Sequence, residues 1–131
     1  MKCLGVDGRE YIINIQKLKK NTTKFSQLHL TARDVFKKKF PYSSIYEEVL
    51  LPSTKLVADF FIPDLQIIAE VHGAQHYRFI KHFHKTKTEF KIAKARDQTK
   101  KYWCEINNWI FIELPYNEIE NWSVIINDAI S

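Results

Sequence analysis

The chain has 131 residues and a mass of 15.6 kDa, with 45% hydrophobic and 27% charged side chains and 20 Lys+Arg against 15 Asp+Glu, a formal charge of +5. That length gives one domain with one core, the composition is neither disordered nor fibrous, and no apolar run reaches the ~18–20 residues that cross a bilayer. The first seven residues lack the apolar stretch of a signal peptide, and two cysteines, Cys3 and Cys104, make no disulfide framework, so a reducing cytoplasm is expected.

Residues 9–15 read as a short strand after a turn between Gly5 and Gly8, extending a sheet, and 17–24 as a basic loop or arm. From Ser26, an N-cap, Leu28, Ala32, Val35 and Phe36 recur at helical spacing, and the helix ends before Pro41 with Lys37, Lys38 and Lys39 in its last turn, where cations suit the macrodipole. Three strand-like runs follow at 45–51, 56–62 and 66–72, the last two joined by the turn Pro63-Asp64-Leu65-Gln66. A helix is expected from Thr86 to Asn107 with Ile92, Ala95, Thr99, Trp103 and Ile106 on its inner face, then a strand over 109–114. After Pro115, Asn117 with Glu120 at the capping-box position starts a last helix, with Ile119, Trp122, Ile126 and Ile130 inward. The order β, α, β, β, β, α, β, α predicts a mixed α/β fold, a sheet flanked by helices.

The charge is unevenly distributed. Residues 1–39 carry ten basic and three acidic side chains, 40–77 one basic and five acidic, 78–101 nine and two, and 102–131 five acids and no base. Two segments of +7 thus surround one of −4, a pattern expected for a polyanion partner or for solvated lysine-rich helices.

If Ile62 faces Ile67 in the hairpin, the antiparallel register sets Asp59 opposite Glu70, a like-charge pair that destabilises a sheet by up to ~1 kcal/mol and calls for a cation. Alternation puts His72 on the face of Glu70, and His76 follows after the turn at Gly73. Asp59, Glu70, His72 and His76 therefore converge at one end of the sheet, where carboxylate oxygens with an imidazole nearby suit Mg²⁺ or Mn²⁺. The competing expectation is a solvated Asp59 and a Glu70 paired with a lysine. It is weakened because 57–62 and 67–71 are otherwise apolar on both faces, and a buried unpaired carboxylate costs several kcal/mol.

Ala58-Asp59-Phe60 followed by Glu70-Val71-His72-Gly73-Ala74-Gln75-His76, Arg96-Asp97 and Asn108-Trp109-Ile110-Phe111-Ile112 resembles the PD-(D/E)XK nuclease superfamily, and within it the very-short-patch-repair-type branch with the homing endonucleases of the E-D-x-H-D pattern. The resemblance covers about two-thirds of the chain. It implies a restriction-endonuclease-like αβββαβ core over 26–114 with a central four-stranded mixed sheet, an N-terminal extension over 1–25 and a C-terminal helix over 115–131, all one nuclease domain. It further implies a metal-dependent DNA endonuclease or nickase, bacterial or phage-encoded, that uses Mg²⁺ or Mn²⁺ and no organic cofactor. Asp59 is then the metal ligand, Glu70 a second ligand or a ligand-orienting group, and His76 acts near the scissile phosphate. His76 or His72 serves as acid or base, and Asp97, placed on a helix face with Ala93, Lys94 and Lys101, orients an imidazole or holds a water behind the metal ligands.

Two departures stand out: His72 occupies the position of the usual lysine, and no helix-borne glutamate exists between Ser26 and Phe40, where Gln27, His29 and Asp34 are the candidates. Glu47 or Glu48, one on each face of the strand-like run at 45–51, can take that place. These departures also motivate a catalytically inactive DNA-binding or structural module of the same fold, and an RNA-processing nuclease shares the charge pattern. Phosphate contacts are expected from Lys17, Lys19 and Lys20 of the arm and from about half of Lys85, Lys87, Lys91, Lys94, Arg96, Lys100 and Lys101, which encircle their helix so that the rest are solvated. A double-strand break by one domain needs a homodimer or two nicks. A zinc site from His72, His76, His82, His84 and Cys104 meets only half the usual ligand spacing. The aromatic segment 79–83 either packs on the core or stacks on bases, Trp103, Trp109 and Trp122 read as core, and both thiols as inert.

Overall fold

The structure, a computed structural model, describes residues 1–23, 26–78, 80–81, 84 and 86–131. Its elements are β1 (Lys2–Leu4), β2 (Glu10–Ile12), α1 (Gln27–Lys39), β3 (Tyr46–Leu50), β4 (Val57–Ile62), β5 (Ile67–His72), α2 (Lys87–Asn107), β6 (Ile110–Pro115) and α3 (Trp122–Ile130). A four-stranded mixed sheet runs in the order β3-β4-β5-β6. β3, β4 and β5 are antiparallel neighbours, and β6 lies parallel to β5 after the α2 crossover. The α–β–β–β–α–β order expected from the sequence is present from α1 to β6.

Local chemistry sets the helix starts. Ser26 accepts from the His29 N–H and Thr86 from the Glu89 N–H, satisfying first-turn donors, and Asn108 closes α2 in the left-handed conformation with its N–H on the Cys104 and Glu105 carbonyls.

The two faces of the sheet bury different cores. α1 and α3 cover one with Ala32, Phe36, Trp122 and Ile126 over Phe60, Ile62, Ile67, Ala69, Ile112 and Leu114. Cys3, Ile13, Trp103 and Cys104 cover the other, over Val49, Leu51, Ala58, Phe61 and Ile68. Each fully buried aromatic or branched side chain contributes about 1.5–3 kcal/mol. Trp103 and Trp122 are wholly buried, Trp109 partly, and Trp122 Nε1 donates to the Pro115 carbonyl at 2.8 Å. Burial pushes the Cys104 thiol up to about 12 and raises that of Cys3, as inert thiols require.

Three expectations need correction. Residues 9–15 do not extend the central sheet. Only Glu10–Ile12 is strand, and it pairs with β1 in a separate two-stranded sheet clamped to α2 by Asn107, whose Oδ1 accepts from the Leu4 N–H at 2.7 Å. The sheet is extended instead from the arm, where Lys19 forms a bridge with Glu47 on β3. The last helix begins at Trp122, after a 3-10 turn over Ile119–Asn121, with Ile119 and Ile130 exposed, because the chain after Pro115 closes i→i+3 bonds, Glu118 N–H on the Pro115 carbonyl and Asn121 N–H on that of Glu118, before the α-helical ladder starts. On α2 the inward residues are Asp97, Trp103 and Cys104, with Ala93 and Lys100 half-buried, while Ile92 and Ala95 are exposed. The first turns of α2 face a polar site rather than a core, so an apolar stripe misreads them. No helix among the described residues is long and apolar enough to cross a membrane.

Candidate functional site

The site forms where the sheet stops being regular. β4 and β5 pair as Phe60↔Ala69, Phe61↔Ile68 and Ile62↔Ile67, which extends to the anticipated opposition of Asp59 and Glu70. At that step the ladder opens, and each carboxylate takes the other strand's amide: the Asp59 N–H donates to Glu70 Oε2 at 2.6 Å, and the Val71 N–H to Asp59 Oδ2 at 2.9 Å. Side chains have replaced backbone carbonyls as acceptors, so two carboxylates are fixed without a ladder bond.

β3 and β4 also change face here. Glu47 and Phe60 pair on the α1 side, whereas Val49 and Ala58, two residues on, pair on the α2 side, so alternation breaks at Glu48 and Asp59 between them. Glu48 absorbs the break with φ of 55°, a left-handed conformation that costs a non-glycine residue about 1–3 kcal/mol. Both adjacent glutamates therefore reach the site region: Glu47 goes into the protein and Glu48 into the cleft.

Glu47, 1% exposed, accepts from Arg33 Nε at 2.7 Å and Nη2 at 2.8 Å, from Thr22 at 3.1 Å, and contacts His29 Nε2 at 2.7 Å. Burial opposes its ionisation, but the Arg33, His29 and Thr22 hydrogen bonds outweigh that and hold its pKa down at about 2. His29 is 1% exposed and stacks on Phe60 with centroids 4.5 Å apart, and its Nδ1 is buried without a hydrogen-bond partner. One nitrogen of His29 and one oxygen each of Glu48 and Asp59 lie within 4.8 Å of one another.

Across the opening, Glu70 is ion-paired with Lys100 from α2. Burial and the Asp59 charge raise its pKa, and Lys100 opposes them. A lysine partner for Glu70, the competing expectation, is thus part of the site, and both Glu70 oxygens are engaged within the protein.

A second cluster lies on the α2 side. His72 and His76 stack in parallel at 4.0 Å and 3°. His76 Nδ1 is 3.0 Å from Asp97 Oδ2, and His72 Nδ1 is 3.1 Å from Glu113 Oε1. Burial and the neighbouring His76 lower the His72 pKa. Burial disfavours the Asp97 carboxylate, but the His76 hydrogen bond and the imidazole charges hold its pKa below the ordinary value. Glu113 also accepts from Tyr77 at 2.8 Å, and the His76 carbonyl accepts from Lys94 at 2.9 Å, so the turn after β5 is tied to β6 and α2. His84 turns onto Phe90 and accepts from the Ile80 N–H.

Two adjoining clefts share Asp59, His76 and Lys100. One, about 510 Å³, reaches His29, Glu70 and Gln75. The other, about 460 Å³, reaches Glu48, Lys55, Arg96 and Asp97. A groove of about 790 Å³ along β3 meets the latter at Glu48 and is lined by Lys17, Lys19 and Lys20. Of the expected phosphate contacts, Arg96 and Lys100 line the cleft, Lys94 borders it and Lys87 and Lys91 are exposed. Lys101 lies over the Phe111 ring at 5.8 Å, so Lys100, not Lys101, shares the cleft-side face with Asp97 and Ala93. Lys85 and, in the aromatic segment, Phe79, His82 and Phe83 lie outside the described residues, as do Lys24 and Phe25 of the arm.

Sequence reasoning named His29 only as a stand-in for a missing glutamate and missed Arg33 and Glu113. A usable signal existed for His29, which falls on the same helical stripe as Ala32 and Phe36, a polar ring on an apolar face.

No protein-family model matches the chain, and no solved structure matches it. It is similar to uncharacterized protein 307L of Invertebrate iridescent virus 6, 46% identical over 61 residues that make up 47% of this chain and 31% of the relative. It is also similar to uncharacterized protein 033L of Invertebrate iridescent virus 3, 33% identical over 66 residues, 50% of this chain and 34% of the relative. The chain spans about a third of the length of these viral relatives.

Proposed function

We propose that the chain is a divalent-metal-dependent DNA endonuclease or nickase of the PD-(D/E)XK type. One observation carries the reading: the opened end of β4 and β5 gathers Asp59, Glu48 and the His76–Asp97 pair into adjoining clefts bordered by Lys55, Lys94, Arg96 and Lys100. The carboxylates of Asp59 and Glu48 hold the metal, which when bound supplies charge to the phosphoryl oxygen and a water of lowered pKa. Asp97 holds His76 through Nδ1, which leaves Nε2 to take the proton from an attacking water or return it to the leaving oxygen. Lys100 and Arg96 bind phosphate oxygens, and Glu70, saturated by Lys100 and the Asp59 amide, orients both of those partners instead of ligating. His72 gives His76 a stacking surface.

The test is incubation of the protein with supercoiled plasmid, branched and mismatched DNA, and structured RNA, in Mg²⁺, in Mn²⁺ and in chelator. Metal-dependent conversion of plasmid to nicked or linear form, absent in chelator, is expected. Cleavage of RNA alone moves the substrate class, and DNA binding without cleavage in either metal leaves the inactive module.

A further inference from the structure

We infer that His29 is a metal ligand through Nδ1, completing with Glu48 and Asp59 a mixed nitrogen–oxygen site that selects Mn²⁺ over Mg²⁺. This rests on the metal part of the reading above and not on its nucleic-acid substrate.

His29 holds a buried ring nitrogen that the protein leaves without a hydrogen-bond partner. His29 is buried between α1 and β4, flat against Phe60, and its Nδ1 finds no hydrogen-bond partner, an arrangement that costs about 1–3 kcal/mol unless something outside the chain satisfies it. Its other nitrogen is fixed: Nε2 lies 2.7 Å from Glu47, a carboxylate that Arg33 keeps ionised and therefore able only to accept. In the neutral imidazole the proton accordingly sits on Nε2 and the lone pair on Nδ1. A carboxylate that fixes tautomer and ring orientation, with the other ring nitrogen unpartnered and further carboxylate oxygens close to the ring, is the arrangement that supports metal-bound histidine. The carboxylates of Glu48 and Asp59 supply those oxygens within 4.8 Å, and the left-handed backbone of Glu48 brings its side chain there.

The donor set separates Mn²⁺ from Mg²⁺. Mg²⁺ favours all-oxygen octahedra and retains its water, whereas imidazole with carboxylates suits first-row transition ions, of which Mn²⁺ accepts the most oxygen. Glu70, expected from the sequence to ligate, is held by Lys100 and leaves the ligand set to His29.

The experiment titrates the whole chain, free of nucleic acid, with MnCl₂ and separately with MgCl₂ by calorimetry, and records pulsed EPR of the Mn²⁺ complex. Mn²⁺ binding at least tenfold tighter than Mg²⁺ is expected, with ¹⁴N coupling on the Mn²⁺ signal that survives His76→Ala and vanishes in His29→Gln. The wild-type and His76→Ala spectra keep the test meaningful should His29→Gln fail to fold. Mn²⁺ bound without nitrogen coupling, coupling lost in His76→Ala, equal affinities for the two ions, or no Mn²⁺ binding would each overturn the inference. Plasmid cleavage in which the Mn²⁺ concentration dependence is unaffected by His29→Gln would overturn it and leave the nuclease reading intact. Nitrogen-coupled Mn²⁺ in a protein that cuts no nucleic acid would do the reverse.

Discussion

Two histidine–carboxylate clusters, His72–His76–Asp97 and His29–Glu48–Asp59, arrange the same residue types differently. In the His72–His76–Asp97 cluster each imidazole faces a carboxylate through Nδ1, His72 on Glu113 and His76 on Asp97, and the two rings stack. That is an arrangement for holding a proton and positioning a ring. In the His29–Glu48–Asp59 cluster the carboxylate that steadies the ring, Glu47, is separate from those that converge on it, and a nitrogen lone pair is left over. Each cluster keeps one buried ring nitrogen without a hydrogen-bond partner, His29 Nδ1 and His72 Nε2, so the difference lies in what surrounds it: Glu48 and Asp59 approach His29, whereas His72 is closed in by Glu113, Asp97 and the stacked ring of His76, which itself borders the clefts.

Substitutions in the two clusters should therefore fail differently. Asp59→Ala is expected to lower plasmid cleavage by about 10³-fold and to abolish metal binding, since metal charge stabilisation is worth several kcal/mol at about 1.4 kcal/mol per decade. His76→Ala should lower cleavage by about 10²-fold and leave the Mn²⁺ affinity unchanged. Full activity in Asp59→Ala would sink the nuclease reading, and lost metal affinity in His76→Ala would merge the two clusters into one.

The carboxylate behind His29 gives a pH signature. Glu47 has a folded pKa of about 2, against an ordinary 4.5, so its contribution is fully present above pH 4.5 and is lost as pH falls through 2. It amounts to about 3 kcal/mol. In urea unfolding of chelator-treated protein, the stability difference between wild type and Glu47→Gln should shrink by about that much between pH 5 and pH 2. Glu70 runs the other way: its raised pKa removes stability as pH climbs above 4.5.

Glu48→Gly sharpens the point further. It removes a ligand but relieves a left-handed backbone, so Tm is expected to hold or rise by the equivalent of up to about 1 kcal/mol while Mn²⁺ binding is lost. A drop in Tm would mean that the contacts of the Glu48 side chain outweigh the strain. The smallest effect belongs to the rim: Lys94→Ala and Arg96→Ala should each reduce the salt slope of DNA affinity by about 0.9 if they meet phosphate, whereas Lys101→Ala, over Phe111, should leave it unchanged.

Much of the scaffold was legible because it is local. Ser26 and Thr86 cap helices with their own side chains, and Ile62 and Ile67 set the hairpin register across one short turn. The resulting approach of Asp59 to Glu70 could be read from that register. What could not be read is how the approach is accommodated: Lys100 lies thirty residues from Glu70 and meets it only because α2 crosses that face of the sheet. The inward face of α2 was misread for the same reason, since its first turns pack on charge.

The sequence by itself determined the element order, the hairpin register and the gathering of Asp59, Glu70, His72 and His76 at one sheet end, because these follow from spacing, alternation and capping within short segments. Tertiary structure alone decided the partners: Glu70 to Lys100, Glu47 to Arg33 and His29, and Glu48 turned to join Asp59. Those choices depend on which distant helices cover which face and on the one residue where the chain changes face, and no local pattern encodes either.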